Sequence, residues 1–398
     1  MSSVNPPVAE GTDGSLMSVL RRNAKDYGML IALIAVMVFF QVITGGVLFM
    51  PVNLTNLVLQ NSFVVIMALG MLLVIIAGHI DLSVGSIVGV IGALAAILMI
   101  RLQINPWVAC LICLIAGGAI GAAQGYWVAY HHIPAFIVTL AGMLMFRGVT
   151  FWILGGINIS PFPAEFTKLS TGFLPSLANV GGFDSTAVIL TLLLVAAFVR
   201  GSILGRKNDE AHGEDVLPMP VFLVQTTVVA AIMLFFGYQL AVYKGIPNIL
   251  IIMGAMVGAY YFLTTRTTIG RSIYALGGNE KATRLSGINT NRYSFYTFIN
   301  MGVMAAFAGL IVAARLNSST PKAGTGFEMD CIAACYIGGA STTGGVGRVT
   351  GAVVGAFIMG VLNNGMSIMG LGIDFQQMVK GAVLLAAVVF DLYNKNKG

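Results

Sequence analysis

Long apolar stretches almost empty of charge limit this chain more than any other feature. Residues 29–50, 62–78, 86–100, 107–130 and 220–242 are the clearest of them. A bilayer core of about 30 Å takes roughly 20 such residues as a helix. Lipid offers the backbone no hydrogen-bond partner, so each stretch must be helical or belong to a closed barrel. Barrel strands alternate polar and apolar residues, and these stretches do not. The expected fold is therefore all-α, a polytopic membrane helix bundle. Composition agrees: 57% of residues are hydrophobic and 9% charged, against about 25% charged in a soluble domain. A soluble surface cannot be built from so few charges.

The 49 glycines point to close helix packing, because small residues let membrane helices approach. Four runs have the spacing: Gly117, Gly121, Gly125; Gly347, Gly351, Gly355; Gly85, Gly89, Ala93; and the shorter Gly254, Gly258. Packing inside one subunit is preferred over a dimer seam. Cys110, Cys113, Cys331 and Cys335 lie in or beside apolar stretches and are read as small hydrophobes. No metal site is expected. The formal charge of +6 does not point to nucleic acid, since the cations cluster in a few segments as the positive-inside rule predicts.

Those segments are the tail (Arg21, Arg22, Lys25), Arg200 with Arg206 and Lys207, the run from Arg266 to Arg292, and Lys395 with Lys397. Placing all four in the cytoplasm requires even numbers of spans between them. Six are expected before Arg200 (29–48, 62–78, 86–101, 107–130, 134–154 and 185–200) and two before Arg266 (220–242 and 247–264). After Arg292, 294–315, 349–367 and 374–393 are spans. Residues 327–340, with Glu328 and Asp330 at one end, cross as a short or broken half-helix. The total is twelve, within a range of ten to twelve. Residues 1–28 are expected to form a cytoplasmic tail and 394–398 a cytoplasmic C-terminus, with a single transmembrane domain over 29–393. The Pro-bearing stretch 155–184 is the largest outside loop.

Three segments are candidates for function. In the first, His79, Asp81 and Ser83 separate two apolar blocks of only about 16 residues each, short for a full span of roughly 20. Asp81 is placed to accept bonds from the N–H of Ser83 or Val84 as a helix cap, or to line a path at broken helix ends. In the second, Asn279 to Ser286 reads as a short amphipathic helix, capped by Asn279, stopped by Gly287, with Ala282 and Leu285 on one apolar side. It is either an ordinary surface helix or one that docks in a partner's groove. The third, residues 337–348, is Gly-rich but lacks the G-K-[ST] ending of a phosphate-binding loop, so it reads as a tight hairpin. Polar residues within apolar blocks are Asn61, Gln124, Thr139, Arg147, Asn300, Asn363, Asn364 and Gln376. Each satisfies an interhelical hydrogen bond or touches a solute.

Five motifs together resemble one family. They are Ile80-Asp81-Leu82-Ser83-Val84-Gly85-Ser86, Pro134-Ala135-Phe136-Ile137-Val138-Thr139-Leu140, residues 274–288, residues 337–348 and Leu362-Asn363-Asn364-Gly365-Met366. The order and register resemble the monosaccharide ATP-binding-cassette permeases of the ribose and xylose group, from about residue 50 to the end. The longer pattern, with 180–245 as an inserted helix pair, resembles the xylose and multiple-monosaccharide permeases. His79 departs from the glycine or acid frequent there.

The resemblance implies a bacterial inner-membrane importer subunit with the type II importer fold and no catalytic residues. It implies a second permease subunit (a homodimer), a cytoplasmic ATPase that binds the ATP and Mg, and a periplasmic sugar-binding protein. No cofactor is expected in this chain. Residues 266–292 become the coupling segment, with Arg271, Tyr274, Asn279, Glu280, Ala282, Arg284 and Gly287 facing the ATPase. His79, Asp81, Ser83, Thr139, Asn300, Asn363 and Asn364 are the candidates for the path or gate. The alternatives are a permease of the same architecture for an amino acid or other small solute, and an ion-driven secondary transporter. The latter usually needs intramembrane acids or histidines.

Overall fold

A computed structural model describes residues 24–180, 182–213 and 216–395. Arg21, Arg22 and Lys397 of the expected basic termini lie outside the described residues. The chain is a helix bundle, and each of the twelve expected spans corresponds to a helix. These are α1 (Ala24–Ile43), α2 (Pro51–Ile76), α3 (Val84–Ala96), α4 (Pro106–Ala129) and α5 (Ala135–Leu154), then α6 (Ala164–Thr171) outside the span count. There follow α7 (Ser185–Ala211), α8 (Met219–Tyr243), α9 (Asn248–Arg266), α10 (Thr268–Gly278), α11 (Glu280–Leu285), α12 (Thr290–Leu316), α13 (Phe327–Ile337), α14 (Val349–Ile368) and α15 (Ile373–Lys395). Among the described residues nine helices are long and apolar enough to cross a membrane, counting α3 together with the π turn Ile97–Arg101 that extends it.

Several boundaries move. The first span ends at Ile43 rather than 48, because Gly45 and Gly46 take positive φ (61° and 96°) and Pro51 starts the next helix. The block 62–78 is part of a longer helix. α2 runs 26 residues from Pro51, and the polar Asn61 that interrupts the hydropathy is inside it, donating to the Ala356 carbonyl at 2.8 Å. The block after Ser83 likewise reaches 18 residues with its π turn. The basic segment from Arg200 is not a loop for most of its length, since α7 continues through Arg206 and Lys207 to Ala211. There, Arg206 pairs with Glu210 at 2.9 Å and stacks on Phe222.

Residues 155–184 hold more structure than a loop. They carry α6 and a two-stranded antiparallel hairpin, β1 (Asn179–Val180) with β2 (Phe183–Asp184). Ile159 also pairs with Ser319 and Phe173 with Pro247.

The centre is α2, α3, α12, α13 and α14. Glycine sets its closest approaches. A Cβ on Gly117 or Gly121 of α4 would run into backbone of α12 at Gly302 and Phe298, and one on Gly351 into Gly338. The first three glycine runs thus pack within the chain. The fourth does not, since nothing lies within 4 Å of a Cβ built on Gly254 or Gly258. All four cysteines are free.

Residues 317–326 and α13 make the broken crossing. From Ser319, bridged to Ile159 beyond the end of α5, the chain descends as a run of turns along the small-residue face of α3. It passes Gly92 at Ser319, Gly89 at Ala323 and Gly85 at Gly324. The 11 residues of α13 then finish the passage, about 16 Å of rise, roughly half of a bilayer core.

Candidate functional site

The candidates fall into three places rather than one. The first is the break between α2 and α3. Burial of Asp81 (1% exposed) and Ser83 (0%) is complete. Asp81 Oδ1 accepts from the Ser83 N–H at 2.8 Å, the bond that the sequence predicts, and from the Ser83 hydroxyl at 2.6 Å. The N-cap position of α3 is Ser83 itself, so Asp81 fixes the turn before the helix rather than capping it. Gln124 of α4 donates to Ser83 Oγ at 2.9 Å. Thr139, one turn into α5, donates to its own Ala135 carbonyl at 2.9 Å and reaches the Ile80 carbonyl at 3.4 Å. A Cβ on Gly142 would overlap the Gln124 amide, so α5 closes over this cluster. His79, half-buried, lies with Nε2 3.2 Å from Ser294 Oγ and its ring beside Phe298. Burial draws its imidazole below the usual histidine range, against the opposing pull of the Glu280 carboxylate.

Asn300 belongs elsewhere: its Oδ1 accepts from the Tyr260 hydroxyl, between α9 and α12. Asn364 exchanges hydrogen bonds with Asn53 at the start of α2, 2.9 and 3.2 Å long, while Asn363, next to it on α14, hydrogen-bonds the Asp330 carboxylate of α13. These three are not in the cluster at Asp81.

Sequence reasoning did not see what faces the break from the other side. Glu328, on the first turn of α13, is buried and lies against Gly85. Asp330 pairs with Lys380 of α15, 2.9 Å and 3.0 Å from its two carboxylate oxygens. Arg147 of α5 donates to the Ala323 carbonyl (2.9 Å) and to Thr325 Oγ1 (2.8 Å). The available signal was Lys380, a single cation inside the otherwise apolar 378–389. Asp81 Oδ2 and Glu328 Oε2 find no hydrogen-bond partner among the described residues. Buried acceptors of that kind need a donor from somewhere, and solute hydroxyls are donors.

The connector Thr268–Leu285 is a second surface. Asn279 caps α11 by accepting from the Ala282 N–H at 3.0 Å, and Gly287 follows with φ 85°. Arg271, Glu280, Ala282, Arg284 and Leu285 are exposed, Leu285 to 89%. Tyr274 turns inward and donates to the Gly347 carbonyl at 2.6 Å. Thr283 ties α11 back to α10 through the Ala275 carbonyl. The hairpin at 338–348 holds the same place, with the Gly345 N–H donating to the Ile76 carbonyl at the end of α2.

Comparison with known proteins matches residues 53–216 and 212–388 to the family described as branched-chain amino acid transport system / permease component. The xylose transport system permease protein XylH of Escherichia coli K12 is 40% identical across the whole of both chains. That of Haemophilus influenzae is 40% identical over 94% of this chain and 98% of its own. The ribose import permease protein RbsC of E. coli K12 is 37% identical over 85% of each. No solved structure matches. With both the family match and full-length relatives in hand, the chain belongs to the family of transport-system permease components.

Proposed function

We propose that this permease passes a monosaccharide of the pentose kind inward across a bacterial inner membrane. A separate ATPase drives it by gripping α10 and α11, and a binding protein delivers the sugar on the opposite face. One observation carries the reading: identity of 40% extends over the full length of a xylose permease, so bundle and connector are shared together. The connector geometry supports the coupling role. A capped six-residue helix presents Leu285, Arg284 and Glu280 outward while Tyr274 and Thr283 bind it to the core. The ATPase supplies ATP and Mg; this chain needs no cofactor. Both termini and residues 266–292 face the cytoplasm, 155–184 faces outward, and a second copy completes the path.

The break at His79, Asp81, Ser83 and Thr139, with Glu328 opposite, is the gate. Asn300 and Asn364 lie on other seams and line the path only if those seams open, whereas Asn363 bonds Asp330 on the helix that carries Glu328. Carboxylate and amide oxygens at the break suit hydroxyl donors, and a sugar brings several.

Reconstituted with its ATPase and binding protein, the complex is expected to import xylose or a related monosaccharide with ATP hydrolysis. Uptake of a branched-chain amino acid instead would replace the substrate class. Concentrative uptake in cells lacking the ATPase would replace the mechanism with an ion-driven one.

A further inference from the structure

α13 (Phe327–Ile337) and the two segments that flank it, 317–326 and 338–348, are held by polar contacts from helices remote in sequence. At the deep end Lys380 reaches Asp330 from α15, and Arg147 reaches Ala323 and Thr325 from α5 on the other side. Asp330 is only 4% exposed. At the other end, Gly345 is bonded to Ile76, and Tyr274 of α10 to Gly347. Gly277 is pressed so closely on Ile76 and Gly345 that a Cβ would overlap the backbone of both. Between these ends α13 is buried from Asp330 to Tyr336, with the Cys335 thiol donating to the Ala68 carbonyl and Gly338 against Gly351.

An element so packed moves as a unit rather than bending, because close-packed interiors pass strain along. Its two ends touch the two surfaces described above. One lies on the α10–α11 connector. The other carries Glu328 and Gly324 onto Gly85, four residues beyond Asp81. A buried ion pair is also poor value as stabiliser alone, since apolar replacements of the same shape are often neutral or better.

We propose that α13 and the hairpin 338–348 form a strut that carries movement of the connector to the break before α3, with Lys380 and Arg147 as the positioning residues that hold its deep end. The proposal rests on the coupling role given to the connector above.

The test is amide hydrogen exchange of the full chain in lipid nanodiscs, which needs neither sugar nor ATPase. The double variant Asp330→Asn/Lys380→Met removes both charges, so it inserts at no added cost in the membrane. Exchange in residues 327–347 is expected to rise about tenfold, and exchange in 274–286 to rise with it, as one cooperative unit. The α4 span, 107–129, should not change. The reversed pair Asp330→Lys/Lys380→Asp should restore both regions. Arg147→Gln, which leaves the α13–α15 pair intact, should move both in the same direction by less.

A rise confined to 327–347 would overturn the strut, and no rise anywhere would overturn the holding role of the Asp330–Lys380 pair. In the assembled complex the neutral double variant should lose about tenfold in solute uptake while ATP hydrolysis without solute continues. Unaltered uptake would overturn the positioning role. Failure of the wild-type complex to import any monosaccharide would instead sink the functional reading and leave the exchange result standing.

Discussion

α2 and α7 are almost equal in length, 26 and 27 residues, and both contain a full apolar span. α2 buries nineteen of its residues, including every one from Val64 to Ile76. α7 buries one, Ala187. In water that contrast would be impossible, since an apolar helix must find protein. In a bilayer the tails are as apolar as leucine, so hydrophobicity does not choose between lipid and protein neighbours. Shape and polarity choose. α2 offers Asn61 to Ala356 and Gly70 to Met301 and Met304. The apolar half of α7, Ser185–Val199, has no glycine to let a neighbour close.

The sharpest way to break this contrast is to fill a seam. Gly302→Leu forces a side chain between the backbones of α4 and α12. It should cost about 3 kcal/mol, the upper end of overpacking, and sharply lower the yield of folded permease in detergent. Gly254→Leu, on the open face of α9, should leave thermal stability unchanged. Equal losses at the two would mean that the α9 face is covered.

Truncation comes next. Leu72→Ala in α2 should destabilise by about 2–5 kcal/mol, whereas Leu192→Ala in α7, half exposed, should stay within about 0.5 kcal/mol. Thermal unfolding in one detergent decides it. Asn364→Leu strands Asn53, its partner across α2 and α14, and should cost about 1–3 kcal/mol by the same measurement.

The smallest effect belongs to the connector. Asn279→Ala removes the cap of α11, worth about 1 kcal/mol. It should weaken ATPase binding roughly fivefold in a titration, that energy expressed as an equilibrium, with no change in membrane insertion. Unchanged affinity would remove α11 from the docking surface.

Local signals were readable in the chain. Helices at the twelve expected positions, the Asp81–Ser83 bond, the Asn279 cap and the stop at Gly287 each depend on residues within a few positions of one another. Arg147 and Asn61 were legible as polar residues needing interior partners, but the partners were not. The gate candidates show the limit. Asp81, Ser83 and Thr139 meet, while Asn300 and Asn364 lie on other seams and Asn363 bonds Asp330, though all looked alike as polar residues in apolar helices. Leu285 was read as half of an apolar face and stands almost fully exposed.

What the sequence determined by itself is that this chain crosses lipid repeatedly as helices, because unpaired backbone in hydrocarbon is too costly for anything else. Apolar run length and local caps report that directly. Only the tertiary structure decided which helices face protein, that residues 317–326 descend along α3, and that Lys380 meets Asp330. Those choices depend on backbones approaching across 50 to more than 200 residues of chain, where glycine shape and buried charge select one partner, and no local pattern encodes the distance.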